Sequence, residues 1–234
     1  MQQTGEPLGS GRSADVYAID DAWVLRRYRD GRDATTEAAV MAHLAERGYP
    51  VPRVRPSAGD GPLSRADLVM RRLSGPTLLQ ALRRGAVTPA ETGRIVADLM
   101  RRLHAVPARV SADPSHRILH LDLHPDNVVL TPDGPVVIDW GTAEEGPPGL
   151  DWAMSALIMA QVAEGWGLAP FEAAGVREVL ASFLRHRDPA VVLDGSDSGH
   201  LAQAVARRAA NPAMSEAETA ALGPARALVL DLAR

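Results

Sequence analysis

At 234 residues and 46% hydrophobic, the chain is long enough for one large domain or two small lobes, each with its own core. A net charge of -4 and an aromatic content of 4% exclude a large basic, base-stacking surface for nucleic acid. With no cysteine, disulfides and thiolate zinc sites are excluded, and no apolar run reaches the roughly 20 residues of a membrane span, so a cytoplasmic protein is expected. All 25 basic residues are Arg, so any chemistry that calls for lysine must use arginine. Residues 141–234 hold 12 Asp and Glu against 7 Arg, which predicts either a solvated helical surface or an acidic pocket for a cationic substrate.

Residues 1–73 read as strands, turns and one helix. LGSGRSADVYAI, a turn at Asp20 and Asp21, and AWVLRRY form a hairpin pattern. Asp33 is placed to cap a helix running to about Arg47, with Glu37 in its first turns, Val40, Met41 and Leu44 at helical spacing, and Gly48 as the stop. The loop PSAGDGPLSRAD then leads to a short apolar strand, LVM, at 68–70.

From residue 74 the pattern turns helical. SGPT is a link, Thr77 caps a short helix ending at Gly85, and Thr88, Pro89 and Glu91 make a capping box opening a helix whose Ile95, Val96, Leu99 and Leu103 share a face. That helix ends near His104. Residues 118–138 read as two short strands joined by a polar loop. Beyond Pro147 and Pro148, LDWAMSALIMAQVA predicts a buried helix, FEAAGVREVLASFL a striped one, DGSDSGH a loop, and the remainder one or two helices interrupted at Gly223 and Pro224. The expectation is an α+β chain with a β-rich lobe over 1–73 and a larger helical lobe over 74–234.

ILHLDLHPDNVVL, residues 118–130, sets five polar groups between apolar flanks. As one extended strand it would point His120, Asp122 and His124 to one face, a metal-binding arrangement, but Pro125 ends such a strand and no comparable His cluster completes a hydrolytic site. The second reading handles phosphate. Asp122 and Asn127 have the spacing of a loop in which an Asp takes the proton of an attacking hydroxyl and an Asn oxygen helps hold Mg²⁺, and Asp139, after PVVI, sits where the main Mg²⁺ carboxylate belongs.

HLDLHPDNVVL followed by VVIDW resembles the signature of the aminoglycoside phosphotransferase and choline kinase group, small-molecule kinases with a protein-kinase-like two-lobed fold, whose pattern is approximately HGDLHPGN and then IDW. DWG at 139–141 is similar to the metal-binding DFG of protein kinases, and Asp151 in GLDWA matches an Asp that braces the catalytic loop in that fold. The LVM strand running into RRLSGPTL resembles the hinge, which implies that Met70, Arg71, Arg72 and Leu73 meet the nucleotide base. LGSGRSADVY resembles a nucleotide-covering loop, so Gly9, Ser10, Gly11, Arg12 and Ser13 are expected over the phosphates, where missing Cβ atoms let backbone N–H groups approach. Arg26 is expected to reach the phosphates with Glu37 as its helix partner, and Val24, on the same strand face, to cover the base.

The resemblance implies an enzyme that binds MgATP or MgGTP between the lobes and transfers the γ-phosphoryl group to a hydroxyl of a small molecule, an aminoglycoside or another amine-bearing acceptor, with Asp122 catalytic and Asn127 and Asp139 on the metal. Departures from the family pattern set the alternative, a nucleotide-binding pseudokinase: Arg26 stands for the usual lysine, and Leu121 and Asp126 stand for glycines. His120 is expected to bond backbone and fix the loop, and His124 to pack or to touch substrate. Oligomeric state is not encoded in any motif.

Overall fold

The structure is a computed structural model that describes residues 5–11, 13–55, 64–165 and 170–234. The chain divides into two compact units, Met1–Gly75 with Val129–Ala143, and Pro76–Val128 with Glu144–Arg234.

The first unit is built on a four-stranded antiparallel sheet in sequential order, β1 (Pro7–Ser10), β2 (Ala14–Ala18), β3 (Trp23–Tyr28) and β4 (Asp67–Arg71). Asp20 makes the β2–β3 turn, its carboxylate accepting from the N–H groups of Ala22 and Trp23 at 2.7 and 2.8 Å, an Asx-type turn. Two guanidiniums stack on the Trp23 ring of β3, Arg55 at 4.8 Å and Arg71 at 5.8 Å from its centre. Helix α1 (Thr35–Glu46) buries Val40, Met41 and Leu44 and stops at Gly48, whose φ of 73° is the left-handed conformation glycine adopts freely. Asp33 is not its N-cap: Ala34 occupies that position, and the Asp33 carboxylate accepts from Thr35 N–H at 2.8 Å one residue outside it.

The second unit is helical. Thr77 and Gln80 close a capping box on α2 (Leu78–Arg83), and Thr88 and Glu91 close another on α3 (Pro89–His104). Helix α3 lies close to α5 (Pro170–Arg185) because Gly93 leaves room: a Cβ there would stand 2.2 Å from Val179 O. The core is α4 (Pro148–Gly165), apolar on every face, with Trp152 stacked at a tilt on Phe183 at 4.7 Å between ring centres. Both rings are fully buried, and each such burial contributes about 1.5–3 kcal/mol. After α5 come α6 (His200–Ala209), α7 (Glu216–Ala220) and α8 (Leu222–Leu232). The last interruption falls at Ala221; Gly223 and Pro224 lie inside the first turn of α8, where proline's missing N–H has no intrahelical partner to lose.

The two strands expected over 118–138 are three. β5 (Arg117–Leu119) ends before the polar loop and pairs with β8 (Glu144–Gly146) rather than with its neighbours, whereas β6 (Val128–Thr131) and β7 (Gly134–Val137) form their own hairpin. Apolar content alone could not assign the partners. Among the described residues no helix is long and apolar enough to cross a membrane.

Candidate active site

In the first unit, β3 and α1 aim a buried charged cluster. Arg26 Nη1 donates to Glu37 Oε1 at 2.8 Å and Arg26 Nη2 to Asp139 Oδ1 at 2.5 Å, while the Tyr28 hydroxyl donates to Glu37 Oε2 at 2.5 Å. Arg26 and Glu37 are buried, whereas the Asp139 side chain keeps 45% of its exposure. Burial pushes the Glu37 carboxyl above its ordinary range, with Arg26 and Tyr28 opposing, and pushes the Tyr28 hydroxyl up with the help of the Glu37 charge. For Arg26, burial disfavours the charge but Asp139 and Glu37 outweigh it and raise its pKa.

Asp139 has a φ of 66°, a left-handed conformation that a short polar side chain tolerates. Behind it Trp140 is anchored by its Nε1–H to Val137 O at 3.0 Å and by an edge contact with Tyr49, and Gly141 faces the Tyr28 hydroxyl, which a Cβ would approach to 2.4 Å. The third position of DWG is therefore glycine for a packing reason.

Val24 is buried beside Arg26's face of the sheet and pairs with Met70 in register. The N–H groups of Arg71 and Arg72 donate to Arg53 O and Ala22 O, both at 2.8 Å, so neither is left for a base. In the glycine-bearing turn, Gly11 N–H donates to Ala14 O at 2.9 Å, and Arg29 reaches Gly11 O. Among the described residues a Cβ at Gly9 would meet nothing within 4 Å, and one at Gly11 only Ala14 O at 3.6 Å, so no contact with them demands glycine at either place. Arg12 and the side chain of Ser10 lie outside the described residues.

In the second unit, the loop after β5 is pinned by one buried carboxylate. Asp151, at the start of α4, accepts from His120 N–H at 2.9 Å, from Leu121 N–H at 2.7 Å and from His104 at 3.0 Å. Leu121 takes a φ of 62° there, so the strand breaks at this point and residues 120, 122 and 124 do not share an extended face. The metal-strand reading falls with it. Among the described residues, moreover, no group of three or more His, Asp or Glu is placed to hold a metal.

Asp122 N–H donates to His120 Nδ1 at 3.3 Å, and a single 3-10 turn, Pro125–Asn127, folds Asn127 back so that its Nδ2 donates to Asp122 O at 2.9 Å and Oδ2 at 3.2 Å. The amide oxygen of Asn127 is thereby turned away from Asp122. His124 spans the same loop, with Nε2 3.7 Å from Asp122 Oδ1 and Nδ1 accepting from Asp126 N–H at 3.3 Å, while Asp126 accepts from the Thr77 hydroxyl at 2.8 Å. Burial disfavours the Asp122 charge, but the bond and charge of His124, with His120 and Arg208, hold its carboxyl below the ordinary range.

The family model of the phosphotransferase enzyme family matches residues 4–117 and 107–187. The chain belongs to the phosphotransferase enzyme family. Solved structures give it a protein-kinase-like fold. A choline/ethanolamine kinase family protein from Mesorhizobium loti is 16% identical with a TM-score of 0.55, covering 97% of this chain and 90% of its own. An aminoglycoside-3'-phosphotransferase of type VIII is 20% identical with a TM-score of 0.52, covering 97% and 91%. The amicoumacin kinase hAmiN in complex with AMP-PNP, Ca²⁺ and Ami is 12% identical with a TM-score of 0.52, covering 95% and 87%. No curated protein matches the sequence.

Tyr28, His104 and Glu145 escaped the sequence reading of this phosphotransferase. Tyr28 was legible as an i+2 neighbour of Arg26 on one strand face. Glu145, which accepts from the N–H groups of Arg109, Val110 and Ser111 at 2.6 to 3.0 Å, carries no local signal, since its partners lie more than thirty positions away.

Proposed function

We propose that this family member transfers the γ-phosphoryl group of MgATP, or MgGTP, to a hydroxyl of a small molecule. The observation that carries the reading is Asp122: a carboxylate on a loop pinned by Asp151, bonded by Asn127, held ionised, and still 35% exposed to meet an acceptor. In the step, the acceptor oxygen forms a bond to Pγ as the bond from Pγ to the β-γ bridging oxygen breaks; the hydroxyl proton passes to an Asp122 carboxylate oxygen and the nucleoside diphosphate leaves. Loose phosphoryl transfer asks the protein mainly for positioning and for compensation of charge.

Asn127 Oδ1 and the exposed Asp139 carboxylate are oxygen donors suited to a hard cation, and we assign them to Mg²⁺. When bound, the metal neutralises charge on the phosphate oxygens. Arg26, anchored by Glu37, takes the role of phosphate-facing cation; the turn at Gly9, Ser10, Gly11, Arg12 and Ser13 covers the phosphates; Val24 and the segment Met70 to Leu73 meet the base, the last through carbonyls or Leu73 N–H given the bonds made by Arg71 and Arg72. The first unit thus carries nucleotide contacts and the second the acceptor chemistry, in a cytoplasmic enzyme. The net acidic charge of the final third and the family resemblance make amine-bearing molecules such as aminoglycosides the first acceptor class to screen.

The test is nucleotide consumption by the purified protein against amines, sugars, hydroxy acids and antibiotics, with Asp139→Asn as the blank. Phosphorylated product absent from the blank is the expected result. A thermal shift with MgATP and no product from any acceptor would instead favour the pseudokinase.

A further inference from the structure

Asp126 departs from the family pattern, which has glycine there, and in the fold this departure has a partner. Among the described residues only Leu121 and Asp139 combine a side chain with a positive φ, so Asp126, inside the 3-10 turn Pro125–Asn127, does not need glycine's conformational freedom. Its carboxylate is bonded instead to the start of α2: the Thr77 hydroxyl donates to Asp126 Oδ1 at 2.8 Å, across 49 positions of sequence.

Both ends of this bond are ordered by other bonds. Thr77 is the N-cap of α2, its Oγ1 accepting from Gln80 N–H at 3.1 Å and its own N–H donating to Gln80 Oε1 at 3.2 Å, so the hydroxyl hydrogen remains for an outside acceptor. On the other side, Asp126 N–H donates to His124 Nδ1 at 3.3 Å and Asn127 N–H to His124 O at 2.9 Å. An exposed hydrogen bond between two freely rotating side chains contributes little, but one between groups already held costs little entropy to form. This one has a turn to hold. Three residues of 3-10 helix are too few to persist on their own bonds, and the last of them is Asn127, whose Nδ2 reaches Asp122 O and Oδ2 at 2.9 and 3.2 Å. Asp151 pins the loop where it begins, at His120 and Leu121, and Thr77 pins it where it ends.

We propose that Asp126 is a positioning residue for Asn127: the Thr77–Asp126 bond fixes the turn so that the Asn127 amide gives its N–H to Asp122 and keeps its oxygen for the cation. The inference rests on the phosphotransferase reading, in which Asn127 Oδ1 is assigned to Mg²⁺, and it removes one of the departures from which the pseudokinase alternative was drawn. The bond is what matters, not the charge of Asp126. Asn at 126 and Ser at 77, which keep the acceptor and the donor, are therefore tolerated.

Calorimetric titration with ADP, once in EDTA and once in Mn²⁺, gives the metal-dependent gain in affinity for the parent and for D126A, D126N, T77V, T77S and the double variant T77V/D126A. D126A and T77V should each lower that gain about three- to tenfold, D126N and T77S should keep most of it, and the double variant should lose no more than the more damaged single one. In D126A the affinity for ADP in EDTA and the midpoint of thermal unfolding should not move, which separates positioning from a general loss of structure. A D126A gain equal to the parent's, a D126N as damaged as D126A, or single losses that multiply in the double variant would overturn the proposal. The Asn127 side-chain NH₂ pair in a nitrogen–proton correlation spectrum, identified by its loss in N127D, tests the same point without nucleotide or metal. D126A and T77V should move the pair toward the position of a free amide, and D126N and T77S should not. An unmoved pair in D126A sinks this inference alone; a parent that gains no ADP affinity from Mn²⁺ sinks the metal assignment and the kinase reading with it, and the NH₂ pair then decides the positioning role by itself.

Discussion

Arg26 holds Glu37 and Asp139 at once, at 2.8 and 2.5 Å, so one guanidinium ties helix α1 to the segment that carries the proposed metal ligand. The Arg26–Glu37 half of this bridge is buried, and removing one partner of a buried pair strands the other. Arg26→Ala should cost about 3–5 kcal/mol in urea unfolding. Arg26→Lys should cost less, because an ammonium keeps the charge but cannot fork to two carboxylates. A loss below about 1 kcal/mol for Arg26→Ala would mean that Glu37 is satisfied by Tyr28 without the cation.

Asp139→Asn should separate stability from turnover. Its carboxylate is 45% exposed, so screening limits the contribution of the Arg26 contact to about 1 kcal/mol or less, and the midpoint of thermal unfolding should hardly move. Metal-dependent nucleotide consumption should vanish. A variant that unfolds early would assign Asp139 a structural role, and one that still turns over would remove it from the metal.

Gly141→Ala puts a methyl group 2.4 Å from the Tyr28 hydroxyl, which cannot retreat without giving up its bond to Glu37. A loss of about 1–3 kcal/mol is expected. With Tyr28→Phe the nearest ring atom would stand at 3.4 Å, an ordinary contact, so the double variant should be less destabilised than the two single losses added together. Simple additivity in that cycle would disprove the steric account.

Local signals carried most of the fold, and they failed where partners are distant. Thr77, Thr88 and Glu91 announced their helix starts because capping is a contact across three residues. The pairing of β5 with β8 joins Leu119 to Glu144, and nothing in either stretch names the other. Leu121 illustrates a different limit. The family pattern has glycine there, the structure gives Leu121 a φ of 62°, and the strain, about 1–2 kcal/mol, is tolerated because two N–H bonds to Asp151 and a buried side chain hold it. The residue type alone would have predicted continued strand, and the metal-strand reading followed from that. The spacing of Asp122 and Asn127 put both on one loop, where the Asn127 side chain bonds Asp122.

Asp122 gives the last prediction its sign. Its carboxyl is held below the ordinary carboxylate range in the folded protein and returns to that range when unfolded, so in the acid window at and beneath that range the unfolded chain binds more protons and stability falls as pH falls. Asp122→Asn lacks this dependence. The stability of the parent relative to Asp122→Asn should therefore be greater at about pH 6 than at about pH 3, measured by urea unfolding at both. Because Asp122 is ionised throughout the neutral range, its own acid limb in kcat should lie below the ordinary carboxylate range, and Asp122→Ala should keep nucleotide affinity while lowering kcat by about 10²–10⁴-fold. An acid limb near neutral pH that disappears in Asp122→Asn would show that the carboxyl is protonated in the working enzyme, and the proton-accepting role would pass to another group.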